Sequence, residues 1–90
     1  MNAQTIKRLQ KDNGFYEIQQ QINEGIVWKL EGSIGRYASD LLSSGVCMLP
    51  TKSHRDYYGN SVPSRKDLRR GTKGTYGNSV KYWSSYLDSF

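Results

Sequence analysis

The stretch VWKLEGSIGRYASDLLSSG, residues 27–45, decides the fold. Val27, Leu30, Ile34, Tyr37, Ala38, Leu41 and Leu42 recur at spacings of three, four, three, one, three and one. This is one apolar stripe with a 3.6-residue period, and the spacing predicts a helix over about 27–44. Gly45 stands just past the last periodic residue, where a left-handed C′ position favours glycine. Gly32 and Gly35 interrupt the pattern, each costing about 1 kcal/mol against alanine in a helix interior. Either the pair lets another element pack closely on a continuous helix, or residues 26–31 form a strand and Ser33 caps a shorter helix. The continuous helix is the favoured reading.

Upstream of this stretch, residues 4–12 are helical by propensity, with Ile6 and Leu9 on one side, and Asn13-Gly14 is a stop signal. Phe15, Ile18 and Ile22 then recur at three and four, an amphipathic helix closed by Asn23 and Gly25. The two pieces read as separate helices or as one helix broken at Gly14. Downstream, Val46-Cys47-Met48-Leu49 is apolar and meets Pro50, so it should run extended, because the residue before proline is pushed out of the α region. Residues 51–59 are polar and rich in turn formers. Pro63-Ser64 opens a short helical turn over 64–70, with Ser64 as N-cap and Asp67 as an imperfect capping-box partner. Gly71 ends that turn, and residues 72–77 read as loop. Asn78 or Ser79 then caps a last helix whose face, Val80, Trp83, Leu87 and Phe90, is expected to dock on the main helix.

The expectation is therefore a small, mainly α single domain over residues 1–90. Residues 1–45 form its helical, charge-neutral half and residues 46–90 its basic, aromatic, loop-rich half. The irregular stretch 46–77 exceeds the usual loop length. Either it contains a short strand pair, which makes a small α+β fold the alternative, or it is the functional surface.

Ninety residues allow one domain at most, and a chain of this size buries only about 60% of its unfolded surface. The one cysteine, Cys47, excludes an internal disulfide and nearly excludes a cysteine-based zinc site, which fits a reducing compartment. Within its apolar run Cys47 reads as a buried small hydrophobe. The N-terminus lacks the apolar core of a secretory signal, and no apolar run approaches the ~20 residues of a membrane span. A soluble, cytoplasmic protein with no membrane partner is expected.

Net charge is divided unevenly. Residues 1–45 hold five basic and five acidic side chains, whereas residues 46–90 hold eight basic and three acidic, so the whole +5 lies in the second half. Tyr57, Tyr58, Tyr76, Tyr82, Trp83, Tyr86 and Phe90 lie there too. Cations mixed with aromatics suit a polyanion with flat bases: phosphates meet Lys and Arg, and exposed bases stack on rings. On a helical turn Arg65 and Arg69, and likewise Lys66 and Arg70, are spaced i, i+4 and give a compact positive edge. Lys73, Lys52, Arg55 and Lys81 extend it. The cluster contacts nucleic acid or a nucleoprotein, or an acidic protein partner, or only keeps the chain in solution. No RNP sequence, GXXG loop or zinc-finger spacing selects among these. Tyr57 and Tyr58, beside Gly59, either stack on bases or roof the small core. The expected contact residues are Lys52, Arg55, Tyr57, Tyr58, Arg65, Lys66, Arg69, Arg70, Lys73 and Tyr76.

Nothing assembles a catalytic site, and no cofactor or metal is expected. His54 lacks a paired acid or nucleophile and reads as a hydrogen-bonding surface residue. Gly71-Thr72-Lys73-Gly74-Thr75 lacks the GxxxxGK[ST] spacing of a phosphate loop. The pentapeptide Tyr58-Gly59-Asn60-Ser61-Val62 recurs as Tyr76-Gly77-Asn78-Ser79-Val80, a turn dipeptide followed by a serine. It is similar to the YGN-V signature of pediocin-like bacteriocins but lacks the cysteines that follow there.

The stretches His54-Arg55-Asp56-Tyr57-Tyr58-Gly59-Asn60, Pro63-Ser64-Arg65 and Gly71-Thr72-Lys73-Gly74 together resemble small accessory proteins of bacteriophages and plasmids. The resemblance covers about twenty residues. It implies a compact, non-enzymatic protein that binds and blocks machinery of a bacterial host, as anti-CRISPR and anti-restriction inhibitors do. Acidic inhibitors of that kind mimic DNA. A basic one grips guide RNA, DNA, a ribonucleoprotein or an acidic face of a host protein complex.

Overall fold

In a computed structural model, residues 1–55, 59–69 and 71–89 are described. They form α1 (Ala3–Asp12), α2 (Tyr16–Glu24), a 3₁₀ turn (Ile26–Lys29), α3 (Gly32–Ser44), β1 (His54–Arg55), β2 (Ser61–Val62) and α4 (Tyr76–Asp88). The architecture is mainly α, with one two-stranded antiparallel hairpin that pairs His54 with Val62 and Arg55 with Ser61. The hairpin is the strand pair that the long irregular stretch left open.

The N-terminal helices end where the sequence places stop signals. Asn2 caps α1, its side chain accepting from the Thr5 N–H at 2.9 Å. Gly14 and Gly25 take positive φ after α1 and α2, so the two pieces are separate helices. The continuous helix over 27–44 does not form. Leu30 and Glu31 are extended, and α3 starts at Gly32 with Glu31 as its N-cap. The kink puts the residues on either side out of phase, and Leu30 and Tyr37, expected inside, stand 42% and 50% exposed. Nor do residues 26–31 form the alternative strand, because Ile26–Lys29 closes into the 3₁₀ turn. Placing Gly32 at the helix start removes most of its cost, since glycine is penalised in helix interiors.

The last helix starts earlier than expected. Thr75, not Asn78 or Ser79, is the N-cap, accepting from the Asn78 N–H at 3.3 Å. Asn78 and Ser79 therefore lie inside α4 and bond across the fold. The Ser79 hydroxyl donates to the Gly45 carbonyl at 2.6 Å, and the Asn78 amide donates to the Leu42 and Ser43 carbonyls. Leu87 is exposed, and the inward face is Ser79 and Trp83 flanked by Tyr82 and Tyr86, whose rings meet the indole edge-on. Phe90 lies outside the described residues.

Residues 46–50 run through the middle of the core, all buried and none in helix or strand. Buried backbone needs partners, and here side chains supply most of them. Gln19 accepts from the Met48 N–H and donates to the Met48 carbonyl, both at 2.8 Å, in the manner of a neighbouring strand. Gln10 and the Trp83 indole donate to the Val46 carbonyl, and Gln10 also donates to Gln19. Leu49 N–H donates to Gly74, and the Leu49 carbonyl accepts from Arg65. Around this segment pack Ile6, Ile22, Val27, Ala38, Leu41, Leu42 and Val62.

Candidate nucleic-acid interface

The helical turn expected over 64–70 is not a helix. Residues 65–67 make a turn, although the capping-box contacts form: Ser64 N–H donates to Asp67, and Lys66 N–H to the Ser64 hydroxyl. A turn does not stack residues at i, i+4, so the expected edge of Arg65 with Arg69 is not built that way, and the pairing of Lys66 with Arg70 lies outside the described residues. Arg65 points inward. Its Nε donates to the Leu49 carbonyl at 2.7 Å, Nη2 to Asn23 Oδ1 at 3.2 Å, and Nη1 to Met48 Sδ at 3.7 Å. Its burial lowers the guanidinium pKa from the ordinary arginine value.

The neighbouring cations face water. Lys52, Arg55, Lys66, Arg69 and Lys73 are exposed. Arg55 lies on the hairpin, its guanidinium donating to the Gly59 carbonyl at 2.9 Å. Tyr57, Tyr58 and Arg70 lie outside the described residues. Tyr76 opens α4, 37% exposed, with its hydroxyl donating to the Met1 carbonyl at 2.7 Å. That bond brings the N-terminus of the chain to the N-terminus of α4.

Of the expected contact residues, Arg65, Lys66 and Tyr76 come together. They line one open groove of about 780 Å³ with Met1, Leu68 and Val80. Leu68 also walls a smaller pocket of about 200 Å³ that includes Lys73. Arg55 lines a separate depression with His54 and Asp67.

The structure adds cations that the half-by-half charge count hides. Lys7, Arg8 and Lys11 line a groove of about 430 Å³ along α1. Lys7 also lines a cleft of about 310 Å³ between α1 and α2, which Arg65 lines as well. The α1 groove and this cleft share Gln4 and Lys7, and the cleft and the Tyr76 groove share Arg65. The three adjoin through these shared residues as one track, and among the described residues no Asp or Glu lines any of them. A signal for this existed in the sequence: residues 1–11 carry three cations and no acid. The neutral total of residues 1–45 concealed it.

Other candidates fall into the interior. Cys47 is fully buried and desolvation pushes its thiol up to about 12, so it is no nucleophile at neutral pH. His54 is half-buried rather than a solvated surface residue. It packs on the backbone at Gly25, where an added Cβ would come within 2.6 Å of Nε2, and among the described residues that nitrogen has no hydrogen-bond partner. Among the described residues no three His, Cys, Asp or Glu side chains group as metal ligands, and no helix is long and apolar enough to cross a membrane. No family model matches the chain, and no curated protein or solved structure is significantly similar to it.

Proposed function

We propose that the protein is a non-catalytic binding module that holds a nucleic acid, alone or within a nucleoprotein, along its cationic track. The observation that carries this reading is the adjoining set of grooves lined by Lys7, Arg8, Lys11, Arg65 and Lys66, with no carboxylate of the described residues among their walls. Phosphate contact is the sequence-independent part of nucleic-acid affinity and needs an unopposed positive surface. The exposed Tyr76 ring at one end offers a face on which a base can stack, worth about 1–3 kcal/mol. A single strand fits best, because its bases are free to reach such a ring. The test is a salt titration of binding to labelled single-stranded RNA, single-stranded DNA and duplex DNA. Six exposed cations, Lys7, Arg8, Lys11, Lys66, Arg69 and Lys73, meeting six phosphates give a log–log slope of about −4 on a single strand. A flat titration, or no binding at low ionic strength, rejects the reading.

A second reading is a docking surface for an acidic protein segment. It is supported by the apolar floor of the Tyr76 groove, where Met1 and Leu68 are 45% and 37% exposed beside Lys66. It predicts a shallow salt dependence and a larger loss from Leu68→Ser than from Lys66→Ala. Inhibition of a nucleic-acid-guided defence complex is one setting for either surface. Its support is the sequence resemblance to phage and plasmid accessory proteins alone.

A further inference from the structure

The cleft between α1 and α2 holds a partly buried cation with no counter-ion among the described residues. Arg65 makes three hydrogen bonds, to the Leu49 carbonyl, Met48 Sδ and Asn23 Oδ1, and all three acceptors are neutral. A guanidinium carries five N–H donors, so two remain for whatever occupies the cleft. A cation withdrawn from water is costly unless an anion replaces its hydration. Burial accordingly lowers the Arg65 pKa, and among the described residues no carboxylate lines the cleft. Lys7 on α1 lines the same cleft, and its ammonium stands 5.6 Å from the centroid of the Tyr16 ring of α2. The side chains of Gln4, Gln20 and Thr51 supply further uncharged polar groups to the walls.

We propose that this cleft is a phosphate site, in which Arg65 and Lys7 take one phosphate group between them. Arg65 suits the role because Leu49, Met48 and Asn23 fix the plane of its fork, and a fixed fork matches two oxygens of a tetrahedral anion. Lys7, which lines the same cleft, adds a point charge. At about 310 Å³ the cleft has room for a phosphate and part of the group that bears it. This goes beyond the surface reading, because a discrete pocket takes one phosphate whether or not a strand lies along the track.

The experiment is a titration of the protein with inorganic phosphate at constant ionic strength, following the Arg65 Nε–H resonance by NMR, with sodium acetate as the control. The expected result is a saturable shift with phosphate and not with acetate, weakened about tenfold in Lys7→Ala. Lys7 is exposed, so that variant stays folded. An absent or non-saturating shift, an equal response to acetate, or an unchanged titration in Lys7→Ala overturns the proposal. A second arm compares an oligonucleotide with and without a 5′-phosphate. Tighter binding of the phosphorylated strand identifies a strand end as the source. Equal binding of the two, beside saturable inorganic phosphate, identifies a free phosphate compound. The two proposals fail separately. A protein that binds oligonucleotides but ignores phosphate loses the cleft site and keeps the surface. One that binds phosphate but no oligonucleotide keeps the cleft and loses the surface.

Discussion

Residues 46–50 and residues 65–69 both run without helix or strand, and their surroundings are opposite. The first segment is buried throughout and has its backbone groups taken by Gln10, Gln19, Arg65 and Trp83. The second faces water apart from Arg65, and it presents Lys66, Leu68 and Arg69. Irregular backbone can sit in a core only if something replaces the ladder of a sheet. Here long polar side chains do so, and Arg65 is one of them. Its neighbours Lys66 and Arg69 have no core duty and are exposed. Two adjacent cations in the sequence therefore have different work, and the difference is set by where the chain turns.

The largest effect is expected where the replacement ladder is cut. Gln19→Leu leaves the Met48 N–H and carbonyl and one Gln10 donor without their partner inside the core. Each stranded buried group costs about 1–3 kcal/mol, so the loss should reach about 4 kcal/mol in urea unfolding. A loss below about 1 kcal/mol would mean that water reaches this segment and that its contrast with residues 65–69 is overstated. Gly45→Ala should follow. Gly45 has φ +99, and a Cβ there would stand 2.6 Å from the Asn78 carbonyl oxygen and 2.8 Å from Tyr82 Cβ. The substitution wedges α4 away from the end of α3, and about 2–3 kcal/mol is expected, read as a lowered denaturation midpoint. A smaller effect of opposite sign is expected from Gly35→Ala. Gly35 is interior to α3 with negative φ, and its Cβ would make only ordinary contacts, 3.9 Å to the Val27 carbonyl oxygen and 4.0 Å to the Trp28 ring. Recovered helix propensity should raise stability by about 0.5–1 kcal/mol. Destabilisation would show that the 3₁₀ turn needs the room.

Much of this fold was legible where side-chain period and backbone chemistry agree. The ends of α1, α2 and α3 stand at Gly14, Gly25 and Gly45, because each needs a left-handed residue there. The break at Leu30–Glu31 was not legible, since the apolar spacing runs through it unchanged. In place of the continuous helix the 3₁₀ turn packs beside Gly35, a contact that spacing does not report. The start of α4 was misplaced by the GN dipeptide of the repeat: Asn78 reads as a cap by propensity, but Thr75 gets there first because its hydroxyl also bonds the Thr72 carbonyl. Gln10 and Gln19 lie on amphipathic helices, and nothing local tells a solvated glutamine from one clasping a core segment. For the candidate site, residue types gave the cationic and aromatic character of residues 65–76. They did not separate Arg65 from Lys66, nor bring Lys7, Arg8 and Lys11 to the same track, because both depend on tertiary contacts.

The most direct test of the account is to charge-reverse the exposed neighbours of Arg65 and measure binding and stability on the same samples. In the Lys66→Glu, Arg69→Glu double variant, affinity for a single-stranded oligonucleotide at low salt should fall by tenfold or more and the salt slope should shallow by about 1.5. Stability should stay within about 0.5 kcal/mol of the parent, because neither side chain is buried or bonded in the core. Unchanged affinity in a folded double variant would contradict the account and leave the exposed cations without a role in binding.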